Sequence, residues 1–348
     1  MRFLLAFLLF PAILSAQVRP IRVLVYHDME GLAGQNNPFS YRFDHPADYA
    51  LGRQMLVADI NAVITGLFEG GATEVSVIDA HGSGNPEPDI PAGALHPRAT
   101  QIFRDKPFRG YVDLVEPGRY DAVAAVAMHS KTGSRGFAAH TITLGMALEL
   151  NGKEITETEL VGYSWGRANV PLIFVSGDDR LREDLRVLPW IEFVTTKKAT
   201  SSSTVELLPV DQVHAEMKAA ARRAVQNLGK AQVLRTPSPV TAAVRVVPPA
   251  NLESLKGFPG IRYGDNKVTF EAADFGAAYD AWMAIITVAR SGYSSVMNVM
   301  VAAQPNTQAM RLDFSDRLFE RWMDYESGRW SPPGPSAPPA GRRYHGSN

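Results

Sequence analysis

The feature that most constrains the fold is a strand–helix–strand pattern near the beginning of the chain. Residues 23–26 favour a β-strand, residues 47–69 carry apolar side chains at helical spacing, and residues 74–78 again favour a strand. Two strands joined by one helix are expected to run parallel, and a parallel sheet needs helices on both faces. The pattern therefore predicts an α/β fold with three α/β/α layers around a mostly parallel sheet.

The rest of the chain divides into four parts. Residues 1–16 combine a basic start, an apolar run and a small-residue cleavage point, which is typical of an export signal, so we expect a periplasmic or secreted protein. Residues 17–236 are expected to form the larger, α/β domain, which contains every candidate site residue. Residues 237–328 are expected to form a smaller C-terminal α+β domain with a helix over residues 275–289, and residues 329–348 a disordered, Pro-rich tail.

Composition limits the functions that such a chain can have. The 35 Lys and Arg residues nearly balance 36 Asp and Glu, so there is no basic field that would favour nucleic acid. No later apolar run is long enough to span a membrane. Cys is absent, so the fold is expected to use no disulfides, and a metal site would have to use His, Asp and Glu.

Metal-competent side chains follow three predicted strands at the point where each strand ends. Asp28 and Glu30 end the first strand and point to the same side because they are two residues apart. His81 follows the second strand, and His129 follows the strand predicted over residues 120–128. A turn cap at Asp28 or a surface histidine at position 81 would each be ordinary alone. Metal-competent residues at the ends of three strands instead predict a shared site at one edge of the sheet.

The next segment adds two candidates. Residues 146–155 are expected to form a hairpin, and Thr156 with Glu159 predicts a capping box at the start of a helix. Glu157 is then either a favourable charge at the helix N-terminus or a metal carboxylate. His140 follows the glycine-bearing loop after His129, which could bring its ring over the same edge.

Three other polar residues are expected to be structural. Asp178 directly precedes an amphipathic helix, so it is expected to cap that helix. Alternation along the first strand turns His27 away from Asp28. His214 is expected on the surface of a helix over residues 210–228.

The ordered set of motifs resembles the D-aminopeptidase (dipeptide transport protein) family of zinc peptidases over residues 21–290. The matching pieces are Asp28-Met29-Glu30-Gly31, Asp79-Ala80-His81, His129-Ser130 followed by His140-Thr141, Asn151-Gly152 leading to Glu157, and Val175-Ser176-Gly177-Asp178-Asp179-Arg180. The resemblance implies two zinc ions per subunit with Asp28 bridging both ions. Glu30 and His81 would complete one ion, and His129 and Glu157 would complete the other. The same match makes His140 the catalytic histidine.

The resemblance also implies what the site does. The family suggests an aminopeptidase that releases N-terminal D-residues such as D-Ala from short peptides, by attack of a metal-bound hydroxide, and a ring-shaped homodecamer. Oxygen and nitrogen donors suit Zn²⁺, with Mn²⁺ or Co²⁺ as alternatives. The family often has Arg where Ser202 stands, which leaves specificity and assembly open. Another metal-dependent amidase, an L-aminopeptidase, or a non-enzymatic peptide-binding protein are the alternative functions.

Overall fold

The computed structural model describes residues 19–81, 87–103, 111–247 and 250–329, without the side chains of residues 291–296. The predicted export signal lies outside the described residues, as does the predicted tail apart from Arg329. The strands are β1 (Arg22–His27), β2 (Glu74–Asp79), β3 (Ala99–Ile102), β4 (Ala122–Met128), β5 (Met146–Leu150), β6 (Lys153–Ile155), β7 (Leu172–Gly177), β8 (Glu192–Thr195), β9 (Lys197–Ala199), β10 (Val205–Leu207), β11 (Val240–Val246), β12 (Ile261–Gly264) and β13 (Lys267–Ala272). The helices are α1 (Pro46–Glu69), α2 (Glu157–Gly166), α3 (Asp179–Asp184), α4 (Val210–Gln226), α5 (Phe275–Ala302) and α6 (Thr307–Glu326).

The main sheet contains six strands in the order β3-β2-β1-β4-β7-β8, and every neighbouring pair is parallel. The first strand lies near the middle, so the strand order reverses between β1 and β4. Crevices at such a reversal, outside the carboxyl ends of the strands, are where ligands bind in open α/β sheets. The predicted α/β fold with a mostly parallel sheet is confirmed.

Alternating residues of β1 enter two separate cores. Val23 and Val25 belong to the core that the main sheet forms with α1 and α4. Leu24 and Tyr26 belong to the opposite core, where the Trp165 indole nitrogen of α2 donates to the Tyr26 hydroxyl at 2.9 Å. Because both faces of the strand are covered, β1 reads as an unbroken apolar run.

A second sheet contains five antiparallel strands in the order β12-β13-β11-β5-β6. Its β5–β6 hairpin turns at Asn151 and Gly152, whose φ angles are 51° and 79°, so the predicted turn is confirmed. Strand β11 pairs with β5, so this sheet draws strands from both sides of the boundary expected after residue 236. The domain limits stay a prediction.

Two C-terminal helices differ from the sequence analysis. The helix expected over residues 275–289 continues to Ala302, and α6 was not predicted. The buried residues of α6 are Phe319, Trp322, Met323 and Glu326, a spacing typical of one helical face that could have predicted the helix. Among the residues that the structure describes, no helix combines the length and apolar character needed to cross a bilayer.

Candidate metal centre

The predicted site residues meet at the carboxyl edge of the main sheet, beside the reversal of strand order. Asp28 and Glu30 follow β1, His81 follows β2 and His129 follows β4. The turn after β1 packs tightly on the end of β4, because a Cβ at Gly31 would lie 2.1 Å from the carbonyl oxygen of Met128. Gly31 is therefore required for this close approach.

One group of possible ligands contains Asp28, Glu30 and His81, whose donor atoms all lie within 4.8 Å of one another. His81 Nε2 donates to the carbonyl oxygen of Tyr41 at 2.8 Å, since a carbonyl can only accept. This bond fixes the ring with Nδ1 toward the carboxylates, 2.9 Å from Asp28 Oδ1 and 3.3 Å from Glu30 Oε2. A backbone bond of this kind commonly orients a metal-binding histidine.

A second group contains Asp28, His129 and Glu157 and meets the same distance limit. His129 Nδ1 donates to the carbonyl oxygen of Ser130 at 3.0 Å, which leaves Nε2 as the atom that faces the site. Nε2 lies 3.3 Å from Asp28 Oδ2 and 3.4 Å from Glu157 Oε1, and it is buried without a hydrogen-bond partner. Asp28 thus offers one oxygen to each group, as a bridging carboxylate would.

Glu157 reaches the site from the first turn of α2. The predicted capping box is confirmed, since Thr156 accepts from the Glu159 amide at 3.0 Å and Glu159 accepts from the Thr156 amide at 2.9 Å. The Glu157 carboxylate accepts from the Ile142 amide at 2.6 Å and from the hydroxyl of Tyr111. The side chain is therefore held at both oxygens and turned inward, although it also sits where a helix favours negative charge.

His140 lies directly over His129. The two rings are stacked with centroids 3.9 Å apart and planes 11° apart. His140 Nδ1 donates to the carbonyl oxygen of Ala138 at 2.8 Å, and Nε2 lies 3.7 Å from Glu157 Oε1. The structure therefore brings all six predicted site residues together: five of them line one cavity of about 330 Å³, and His129 lies against the ring of His140.

Comparison with known proteins agrees with this geometry. The family model described as D-aminopeptidase, Peptidase_M55, matches residues 21–284. The chain belongs to the D-aminopeptidase family. It is therefore a peptide hydrolase, as the sequence analysis predicted.

Two relatives show how far this similarity extends. The D-aminopeptidase of Bacillus subtilis (strain 168) is 27% identical over 267 residues, covering 75% of this chain and 95% of the relative. A solved structure, described as the Zn-dependent D-aminopeptidase DppA from Bacillus subtilis, a self-compartmentalizing protease, is similar with a TM-score of 0.69 and 26% identity. The likeness covers 78% of this chain and 99% of DppA.

In this member of the D-aminopeptidase family, the side chains of the site carry opposed charges. Burial would raise the pKa of Asp28, but the neighbouring rings of His129 and His81 outweigh it and hold that pKa well below its usual range. Burial lowers the pKa of His129, yet the charges of Glu157 and Asp28 outweigh it and leave the pKa well above its usual value. The three buried carboxylates thus stabilise positive charge on the neighbouring rings. They would stabilise a bound cation in the same way.

Glu30 and His140 titrate differently from their neighbours. Burial, together with the adjacent charge of Asp28, raises the pKa of Glu30 to about 7. Burial, together with the adjacent charge of His129, lowers the pKa of His140 to about 4. His140 is therefore a neutral imidazole at pH 7, with its Nε2 lone pair facing the site.

The sequence analysis missed a buried lysine beneath Glu30. Lys197 is completely buried; its Nζ donates to the carbonyl oxygen of Glu30 at 2.6 Å and to the side-chain oxygen of Gln35, and it lies 4.1 Å from the Phe137 ring centroid. Burial lowers the pKa of Lys197 to about 7. Nothing local distinguished Lys197 from Lys198, whose side chain is half exposed.

Tyr111 was also missed. Its hydroxyl reaches Glu157 from 46 residues away, and no pattern around position 111 suggested that contact.

The backbone at the site is also strained in a way that sequence did not indicate. Ile142, whose amide binds Glu157, has φ of 67°, a conformation that β-branched residues rarely adopt and that clusters at functional sites.

The three residues expected to be structural have separate roles. Asp178 caps α3 through the Leu181 amide at 2.8 Å, as predicted, and its other oxygen accepts from the Phe137 amide at 2.8 Å. His27 does not share the site but lies in another group with Asp79 and Asp89. His214 is not simply on the surface: its Nε2 is 2.8 Å from the buried Asp59 carboxylate.

Proposed function

We propose that the chain is a dinuclear zinc aminopeptidase that releases N-terminal D-amino acids, such as D-Ala, from short peptides. Asp28, Glu30 and His81 would hold one ion, and Asp28, His129 and Glu157 would hold the other. The observation that carries this proposal is His129 Nε2, a buried nitrogen without a hydrogen-bond partner that faces two carboxylates. Nitrogen and carboxylate donors without thiolates fit Zn²⁺, and DppA is described as Zn-dependent.

Zinc bound there would supply Lewis-acid chemistry, lowering the pKa of a water molecule and polarising the peptide carbonyl. The residues of the chain would hold the reacting groups in place and transfer protons. The Ala138 carbonyl holds the proton of His140 on Nδ1, so Nε2 can accept a proton and pass it to the leaving amine. The Ile142 amide and the Tyr111 hydroxyl keep Glu157 fixed during this transfer.

The cavity walls suit a short peptide. Beside the carboxylates, the cavity is lined by apolar side chains that include Leu144, Met283 and Phe319. The cavity can admit the N-terminus of a peptide at the metal centre, while the apolar wall can contact a small side chain such as that of alanine. The preference for the D-stereoisomer is supported by the family alone.

We also propose that the mature protein is exported and forms a homo-oligomer. The signal-like residues 1–16 support export, and the description of DppA as self-compartmentalizing supports assembly. Val299 and Met300 on α5 are 72% and 60% exposed, which is unusual for such apolar residues unless another surface covers them. Light scattering of the purified mature protein would test assembly; a monomer at working concentration would contradict it.

The experiment for the activity starts from the mature protein beginning at Gln17. D-alanine and L-alanine p-nitroanilides are compared before chelation, after chelation and after zinc is returned, while zinc per chain is measured by mass spectrometry. We expect zinc-restored cleavage of the D-substrate and two zinc ions per chain. H129A should lose zinc, whereas the control H96A, outside the ligand groups, should keep it.

Each other outcome has a defined meaning. Zinc-restored cleavage of the L-substrate alone would keep the metal site and overturn the stereochemical part of the proposal. One zinc ion per chain would overturn the dinuclear assignment. A protein that retains no metal and cleaves neither substrate would contradict the proposed function.

A further inference from the structure

A second cavity adjoins the candidate metal centre. It has a volume of about 340 Å³ and lies between the segment from Thr143 to Met146 and the helices α5 and α6. Leu144, Leu318 and Trp322 give it an apolar wall. The volume is at the lower end of the range that small-molecule sites occupy.

The two cavities adjoin. Thr143, Leu144 and Ser315 line both of them. Trp322 of the second cavity also contacts His140 of the first, edge to face, with ring centroids 5.8 Å apart. A peptide whose N-terminus lies at the metal centre would pass these shared residues to reach the second cavity.

The charged side chains that line the two cavities differ. The described lining of the first includes the carboxylates of Asp28, Glu30, Asp44 and Glu157 with one guanidinium, that of Arg42. Among the described residues that line the second, the charged ones are Arg290 and Arg321. Two bound zinc ions would offset the carboxylates of the first cavity, so the direction of the peptide follows from the proposed function, which places the N-terminus at the metal centre. The C-terminal carboxylate is then the group that can meet the guanidinium groups of the second cavity.

The second cavity is formed largely by a part of the chain that the family model does not match. That match ends at residue 284, whereas Arg290, Arg321 and the whole of α6 follow it. Helix α6 is nevertheless firmly attached to the catalytic part. The buried Glu326 carboxylate accepts from the Gly133 amide at 2.8 Å, and Ser202 Oγ donates to the Met323 carbonyl at 2.7 Å. The small side chain of Ser202 thus allows the helix to pack there.

We propose that this second cavity binds the C-terminal carboxylate of the peptide substrate through Arg290 and Arg321. The chain would then prefer short peptides with a free C-terminal carboxylate over the same peptides with that group blocked. Guanidinium groups suit this role, since they bind carboxylates with two parallel hydrogen bonds. This inference rests on the proposed aminopeptidase function and adds the substrate class.

The test compares D-Ala-initiated tripeptides that differ only in a C-terminal carboxylate or carboxamide. For the unmodified protein we expect kcat/KM about tenfold higher for the acid, the size of one good hydrogen bond to a charged group. R321M and R290M should each raise KM for the acid and bring the acid-to-amide ratio close to one. Cleavage of the amide should change much less than cleavage of the acid.

Two further variants control this test. R317M removes the same charge from the same helix, but Arg317 is exposed and pairs with Asp313, so the ratio should stay at its original value. R321K keeps the charge and should retain part of the preference. Arg290 and Arg321 belong to different helices, so if one variant misfolds, the other still tests the carboxylate site.

Absence of the carboxylate site can be told apart from absence of the aminopeptidase activity. An acid-to-amide ratio that is the same in the unmodified protein, R290M and R321M, while D-alanine p-nitroanilide is still cleaved, overturns the carboxylate site alone. If the unmodified protein cleaves no substrate, the proposed function fails. Binding of the tripeptide acid, measured by calorimetry, then tests the carboxylate site. Binding to the unmodified protein that is lost in both R290M and R321M supports the site. Equal binding to all three proteins, or no binding, overturns it.

Discussion

The candidate metal centre lies between two walls of different origin. The strand wall, defined by Asp28, Glu30, His81, His129 and Glu157, lies within the segment that the D-aminopeptidase model matches. The helix wall, defined by Ser315, Phe319 and Trp322 of α6, lies beyond it. The strand wall supplies charge and metal-competent atoms, whereas the helix wall supplies apolar surface. Chemistry and substrate selection can therefore be perturbed separately.

His140 is where the two walls meet. Its ring stacks on His129 of the strand wall and contacts Trp322 of the helix wall edge to face. Changes in the strand wall should thus remove metal and activity together, while changes in the helix wall should affect activity or stability and leave the metal content intact.

The largest effect is expected from D28N in the strand wall. Asp28 offers one oxygen to each ligand group, so its loss disrupts both. We expect activity to fall to background and zinc to fall below two ions per chain, measured together by p-nitroanilide hydrolysis and mass spectrometry. D313N, an exposed change on α6, is the control. Two retained zinc ions in D28N would show that Asp28 is not the bridge.

H140A should separate chemistry from metal binding. Because His140 would transfer a proton without being required as a ligand, kcat should fall about 100-fold or more, and two zinc ions should remain. Steady-state kinetics and metal analysis on the same preparation check this. Loss of one zinc ion would instead make His140 a ligand.

K197M tests the support beneath the strand wall. Removing the Lys197 ammonium leaves the Glu30 carbonyl and the Gln35 side-chain oxygen buried without this donor. We expect activity to fall about 10- to 100-fold, as for other changes behind metal ligands, with a lower zinc affinity measured by chelator competition. K198M is the matched control, and equal effects in both variants would contradict a specific role for Lys197.

W322A tests the helix wall. The variant removes the edge contact to His140, so kcat should fall about tenfold through loss of orientation, with zinc content unchanged. W322F retains an aromatic edge and should keep most of the activity. If W322A and W322F are equally impaired, the contact between rings is not what matters.

The smallest effect is expected at Glu326, whose carboxyl group links α6 to the Gly133 amide. Burial raises the pKa of Glu326 to about 7 from the usual 4.5. The folded protein therefore favours the protonated carboxyl, and this stabilisation is complete below pH 4.5 and is lost as the pH rises to about 7. E326Q does not titrate, so its Tm relative to the unmodified protein should increase by a few degrees between pH 5 and pH 8.

Thermal unfolding of E326Q and of E320Q, on the exposed face of α6, checks this expectation. E320Q should follow the unmodified protein at every pH. A Tm difference for E326Q that does not vary with pH would mean that Glu326 does not titrate in this range.

The sequence by itself determined the parallel sheet, the hairpin turn and the capping box, because each depends on residues close together in the chain. Strand ends also placed Asp28, Glu30, His81 and His129 at one edge, since parallel strands have a common direction. Their role as ligands stays a prediction, yet their proximity needed only strand direction.

Only the tertiary structure decided which surfaces surround that edge. Lys197, Tyr111 and Trp322 reach the site across separations of 167, 46 and 182 residues, to Glu30, Glu157 and His140 respectively. Local spacing could indicate that α6 is a helix, but its packing depends on complementary surfaces far apart in sequence. Hydrogen bonds from the Gly133 amide to Glu326 and from Ser202 to Met323 fix that packing, and they exist only once the chain has folded.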